Sequence, residues 1–108
     1  MIRVSIFKNE SVYTGFEFEG HAGFADHGED IVCAAVSVLV LNTINSIEQF
    51  TTDVFDISMD EKRGYIKLEF KNKISRDSIL LLNSLILGLQ GVEEEYGKEY
   101  IKLILKEV

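Results

Sequence analysis

The sequence predicts an α+β protein, a two-layer sandwich in which a hairpin-rich sheet packs against two helices in the order β-β-α-β-β-α-β. Three features carry this expectation. Short alternating apolar segments occur in two pairs, each pair joined by turn residues, as hairpins require. Two longer stretches carry apolar residues at helical spacing behind the capping residues Asp30 and Ser75. A last apolar segment closes the chain. Mixed hairpins and helices bury their apolar sides by packing as two layers.

Each element has a local reason. Ile2, Val4 and Ile6 alternate with Arg3, Ser5 and Phe7, the period of a half-buried strand. Asn9-Glu10-Ser11 reads as a turn. A second strand runs from Val12 to about Glu19, with Phe16 and Phe18 on one face and Glu17 and Glu19 on the other. It delivers Gly20-His21 at a strand end. The loop from Ala22 to Glu29 contains Gly23 and Gly28 and can bend.

Asp30 caps a first helix that runs to about Phe50, its carboxylate accepting from the N–H of Val32 or Cys33. The start of this helix is apolar nearly all round, which predicts burial on two sides, and a partner subunit is the simplest second surface. Asn42, Asn45 and Glu48 make its later turns more amphipathic. Phe55, Ile57 and Met59 pair with Ile66, Leu68 and Phe70 across the turn Glu61-Lys62-Arg63-Gly64. Ser75 opens a second helix with Ile79, Leu82, Ile86, Leu89 and Val92 on one stripe, ended by Glu93-Glu94-Glu95 and capped by Gly97. The final strand is expected over Tyr100 to Leu105.

Composition narrows the function. A chain of 108 residues is read as one domain, residues 1–108. Its single cysteine makes no internal disulfide, so nothing points to an oxidising compartment. The N-terminus alternates instead of showing a signal peptide, and the apolar run Ile31 to Leu41 falls short of the ~20 residues of a membrane span. The reading is a cytoplasmic protein with no membrane partner. Eighteen acidic against 11 basic side chains give a net charge of -7, which repels nucleic acid and favours a basic partner.

The rare chemistry sits together. Gly20 to Cys33 contains both histidines and the only cysteine. Cys33 lies in the first turn of a helix, where the dipole favours a thiolate, and a thiolate is a nucleophile. His21, twelve residues upstream on a separate element, suits a general base and acid near neutral pH. His27, in mid-loop, is the competing base. Asp30 serves as helix cap or as the group orienting a histidine. Ser37 lies one turn beyond Cys33 on the same face. The N–H of Cys33 and a loop amide are candidates for an oxyanion hole. A zinc site built from His21, Asp26, His27 and Cys33 lacks ligand spacing, and Asp26, Glu29 and Asp30 would repel phosphate from the glycine loop. No metal or organic cofactor is expected. The ordinary alternatives are a buried core cysteine and a solvated histidine.

Gly20-His21-Ala22, a short glycine-bearing loop, and then Gly28-Glu29-Asp30-Ile31-Val32-Cys33-Ala34, with Ser37 one turn later, resemble the ribosomal-processing cysteine protease family, Prp. The resemblance extends over essentially the whole chain. It implies an endopeptidase that removes the N-terminal extension of large-subunit ribosomal protein twenty-seven. It implies Cys33 as nucleophile, His21 as base, and Gly20, Asp30 and Ser37 as supporting positions. It also implies a loop covering the site until substrate arrives, a homodimer, and a basic ribosomal protein as substrate. The contrasting reading is a non-enzymatic ribosome-associated module that docks a basic ribosomal protein through its acidic surface.

Overall fold

The computed structural model describes residues 1–26 and 30–108. Along the chain come β1 (Ile2–Asn9), β2 (Val12–Glu19), α1 (Ile31–Phe50), β3 (Phe55–Asp60), β4 (Tyr65–Phe70), α2 (Arg76–Tyr96) and β5 (Ile101–Glu107), the predicted order. The β1–β2 turn places Glu10 and Ser11 at φ 49 and 69. Two positive φ values give the turn hand that matches strand twist, here without glycine.

The sheet order is β3-β4-β2-β1-β5, with β5 parallel to β1 and the other pairs antiparallel. Register puts Val4 opposite Phe18, Ile6 opposite Phe16, and Phe16 opposite Leu68. Because side chains alternate, these residues share one apolar face. That face and both helices form one core, which includes Val36, Val40 and Ile47 of α1 and Leu82, Leu85 and Leu89 of α2. On the opposite face Tyr65 donates to Glu17 at 3.0 Å, and Lys67 pairs with Glu69 at 3.2 Å.

Asp53 joins the two helix ends. Its carboxylate accepts from the backbone N–H of Ser75 at 3.1 Å, from the Ser75 hydroxyl at 2.6 Å and from the hydroxyl of the fully buried Ser78. Burial pushes this carboxyl up, but the bonds from Ser75 and Ser78 outweigh it and hold it below its ordinary range.

Helix α2 runs through Glu93–Glu95 to Tyr96, and Gly97, at φ 111, caps it as expected. Two differences from the sequence reading have local causes. Tyr100 belongs to the turn before β5, its carbonyl accepting from Ile2 at 2.9 Å. Helix α1 extends past the apolar run that ends at Leu41: over 20 residues, with mean hydropathy 1.7, it is long and apolar enough to cross a membrane by length and composition. Here Val32, Val36, Val40, Thr43, Ile44 and Ile47 pack it into the core. Its other side leaves Ile31 and Val38 half or more exposed.

Candidate active site

β2 lies between β1 and β4, so its end is held from both sides. Gly20 turns the chain out of the sheet at φ 102, where a Cβ would stand 2.5 Å from the Met1 carbonyl oxygen. Its N–H donates to the Gly64 carbonyl at 3.1 Å, and the Met1 amino group donates to the His21 carbonyl at 2.6 Å. The base candidate is thus fixed by its backbone while its side chain is exposed. Its ring is also held: Nε2 donates to the Lys62 carbonyl at 3.2 Å.

Cys33 arrives from the helix side. The Asp30 cap forms as expected, with Oδ1 accepting from Val32 and Cys33 at 3.0 Å each. The other carboxylate oxygen, Oδ2, accepts from Phe24 at 3.0 Å and from Ala25 at 3.4 Å. One carboxylate therefore ties the helix start to the loop that leads to it. Phe24, in turn, rests edge-on against Tyr96 and Tyr100, with ring centroids 5.7 and 5.1 Å away.

A cleft of about 1010 Å³ brings together the site residues expected from the sequence: His21, Cys33, Gly20, Asp30 and Ser37 all line it. Its far walls are Leu41 of α1, Met59 of β3 and Ile66 of β4. His27, Gly28 and Glu29 lie outside the described residues, so the competing base and that part of the motif are not placed.

Asp30 forms the expected cap and also ties down the loop, its two oxygens accepting from four N–H groups. Two expectations change in detail. The Cys33 N–H is committed to Asp30, so it is not offered to an oxyanion in this conformation. The amide beside the sulfur is that of Ala22, donating to Sγ at 3.2 Å. Finally, the thiol pKa is pushed up, not down. Burial pushes Cys33 up; the Ala22 N–H pulls it down, but the nearby Asp30 charge adds to the rise. Desolvation and the cap's own negative charge set the direction.

A raised thiol pKa lowers the thiolate fraction at neutral pH. Alkylation of Cys33 in the substrate-free protein should therefore be slow at pH 7 and climb steeply above the ~8.5 of a free thiol. Phe24→Ala, which removes the ring contacts with Tyr96 and Tyr100, should raise the rate at pH 7. Rates of iodoacetamide labelling measured across pH check both statements.

Some of the site escaped sequence reasoning. The Lys62 carbonyl and the Ala22 amide are backbone atoms, which no residue type marks. Phe24 carried a weak signal, a lone aromatic in a polar loop. Gly64 was visible only as a turn residue. Among the described residues no group of His, Cys, Asp and Glu has the arrangement to hold a metal ion.

A thiol and an imidazole on one cleft, carried by a small α+β scaffold, are the equipment of a cysteine peptidase. The comparisons agree on that class. The family profile of cysteine protease Prp matches residues 1–102. The ribosomal processing cysteine protease Prp of Staphylococcus aureus is 34% identical over 107 residues, covering 98% of this chain and 100% of that one. The protein of the same name from Bacillus subtilis is 32% identical over 85 residues, 75% of this chain and 76% of its own. The crystal structure of S. aureus Prp with a covalently linked product peptide superposes with a TM-score of 0.92 at 33% identity, covering 98% of this chain and 100% of that one. This chain belongs to the cysteine protease Prp family.

Proposed function

We propose that this chain, acting as one protease domain over residues 1–108, removes the N-terminal extension of large-subunit ribosomal protein twenty-seven. The carrying observation is that His21 and Cys33, from two separate elements, line the same cleft. The family and the peptide-bound S. aureus relative support the substrate class. The net charge of -7 suits a basic ribosomal protein.

In this mechanism Cys33 Sγ gives its proton to His21 and attacks the carbonyl of the scissile bond. The Ala22 amide, which donates to Sγ at 3.2 Å in the resting protein, turns to the oxyanion as the sulfur bonds to carbon. His21 returns the proton to the leaving amine as the C–N bond breaks, which leaves the extension on Cys33 as a thioester. Water, losing a proton to His21, attacks the thioester, and the sulfur departs as thiol. Asp30 keeps the helix start and loop in register. Gly20 allows the backbone turn that presents His21, and Ser37 contacts the peptide from the cleft wall. No metal or organic cofactor takes part.

The raised thiol pKa suits a resting enzyme whose loop shields the sulfur until substrate displaces it. The exposed Ile31 and Val38 on α1 supply an apolar surface for a second copy, giving a homodimer. The protein works in the cytoplasm, without direct contact with nucleic acid or membrane.

Incubation with the extended ribosomal protein should yield two products whose masses sum to the substrate plus one water. Substrate that binds and stays intact would instead favour the docking-module reading.

A further inference from the structure

The β3–β4 turn does more than connect two strands. Asp60 Oδ1 accepts from the N–H of Lys62 at 3.1 Å and of Arg63 at 3.4 Å, closing the turn on a side chain. The Gly64 N–H donates to Glu61 at 3.1 Å, and the Gly64 carbonyl accepts from Gly20 at 3.1 Å. Arg63 pairs with Glu19 at the end of β2, also at 3.1 Å. The turn is therefore closed on itself and tied to the strand that leads to His21. At its tip the Lys62 carbonyl meets His21 Nε2 at 3.2 Å.

We propose that this turn is the positioning element of the base: the Lys62 carbonyl holds His21 as the Nε2–H tautomer, so that Nδ1 takes the Cys33 proton, and Gly64 is the residue that permits the approach. The inference rests on His21 and Cys33 being the reacting pair. A carbonyl oxygen only accepts, so the nitrogen facing it carries the proton. A neutral imidazole has one N–H, which makes Nδ1 the basic atom. When Nδ1 accepts the thiol proton, the ring becomes imidazolium, and Nε2–H keeps its bond to a partial negative charge. The same contact thus serves the neutral and the charged ring.

Gly64 makes the contact possible. It sits at φ 61, and a Cβ there would stand 2.5 Å from the Gly20 carbonyl oxygen and 3.1 Å from His21 Cε1. Any other residue would push the turn away from the ring.

Nitrogen-15 spectra of the His21 ring, taken where it is neutral, test the assignment on the wild-type protein. The expected result is a single Nε2–H tautomer with a coupling across the hydrogen bond to the Lys62 carbonyl carbon. An Nδ1–H tautomer, or a mixture of the two, overturns the proposal. Gly64→Ala should abolish that coupling and lower kcat roughly hundredfold with little change in KM, the scale of a misplaced reacting group. Unchanged kcat in a folded Gly64→Ala protein also overturns it. The underlying reading fails separately: if His21→Ala still cleaves, the pair is wrong whatever the tautomer.

Discussion

Cys33→Ser is expected to lower cleavage of the extension by at least about 10⁴-fold while leaving the affinity for the uncleaved peptide within a few-fold of wild type. A hydroxyl is nearly isosteric with the thiol and still accepts from the Ala22 amide, so the fold and cleft survive. What disappears is the polarisable nucleophile, which imidazole alone deprotonates far more readily as a thiol than as an alcohol. His21→Ala should cost a comparable factor. The double variant should be little worse than either single one, because groups that act as a unit are not additive. Turnover of the ribosomal substrate and calorimetric binding of the uncut peptide separate the two readouts. Processing within tenfold of wild type by either single variant contradicts the dyad.

Asp30→Ala is expected to cost about 3 kcal/mol of stability, the sum of a lost N-cap and of charge-assisted bonds to the loop. This is a large share of the ~5–15 kcal/mol that holds a domain of ordinary stability. The carboxylate is buried, at 8% exposure, and its four donors come from both the helix start and the loop. Asp30→Asn should recover only part of the loss, since its NH₂ would face N–H groups instead of accepting from them.

The pH dependence has a definite sign. Burial pushes the Asp30 carboxyl up, but bonds from Cys33, Phe24, Ala25 and Val32 outweigh it, leaving the group below its ordinary value. A depressed folded pKa gives stability that is present above the unfolded value of ~3.9 and lost as pH falls through the folded one. Denaturation of wild type and Asp30→Ala should therefore differ most near neutrality and converge in acid. Comparing the two proteins isolates this group from Asp53, whose carboxyl is also depressed. A gap that stays constant into acid contradicts the assignment.

Much of this architecture was legible from local chemistry. Asp30 and Ser75 mark helix starts because short acceptors before apolar stripes satisfy orphan N–H groups, and both form those bonds. The hairpins follow from alternation around Asn9-Glu10-Ser11 and Glu61–Gly64. Sheet order was not legible, because pairing β1 with the distant β5 depends on long-range packing that no local pattern encodes. At the site, the assembly of His21, Cys33, Asp30, Gly20 and Ser37 was readable, but the thiol's charge state was not. Its desolvation depends on the tertiary packing around the sulfur, and the cap that starts the helix also brings a negative charge. The Cys33 amide offers a sharper lesson: a proton donated to a cap is not also available to an oxyanion.

Catalysis by this chain requires a bond between substrate and one sulfur atom. Rapid acid quench during turnover of the extended ribosomal protein, followed by intact mass and peptide mapping, measures that bond directly. The expected result is enzyme carrying the extension as a thioester on Cys33, released by hydroxylamine and absent from Cys33→Ser. Cleavage that proceeds through an adduct on another residue, or at full rate in Cys33→Ser, would contradict it.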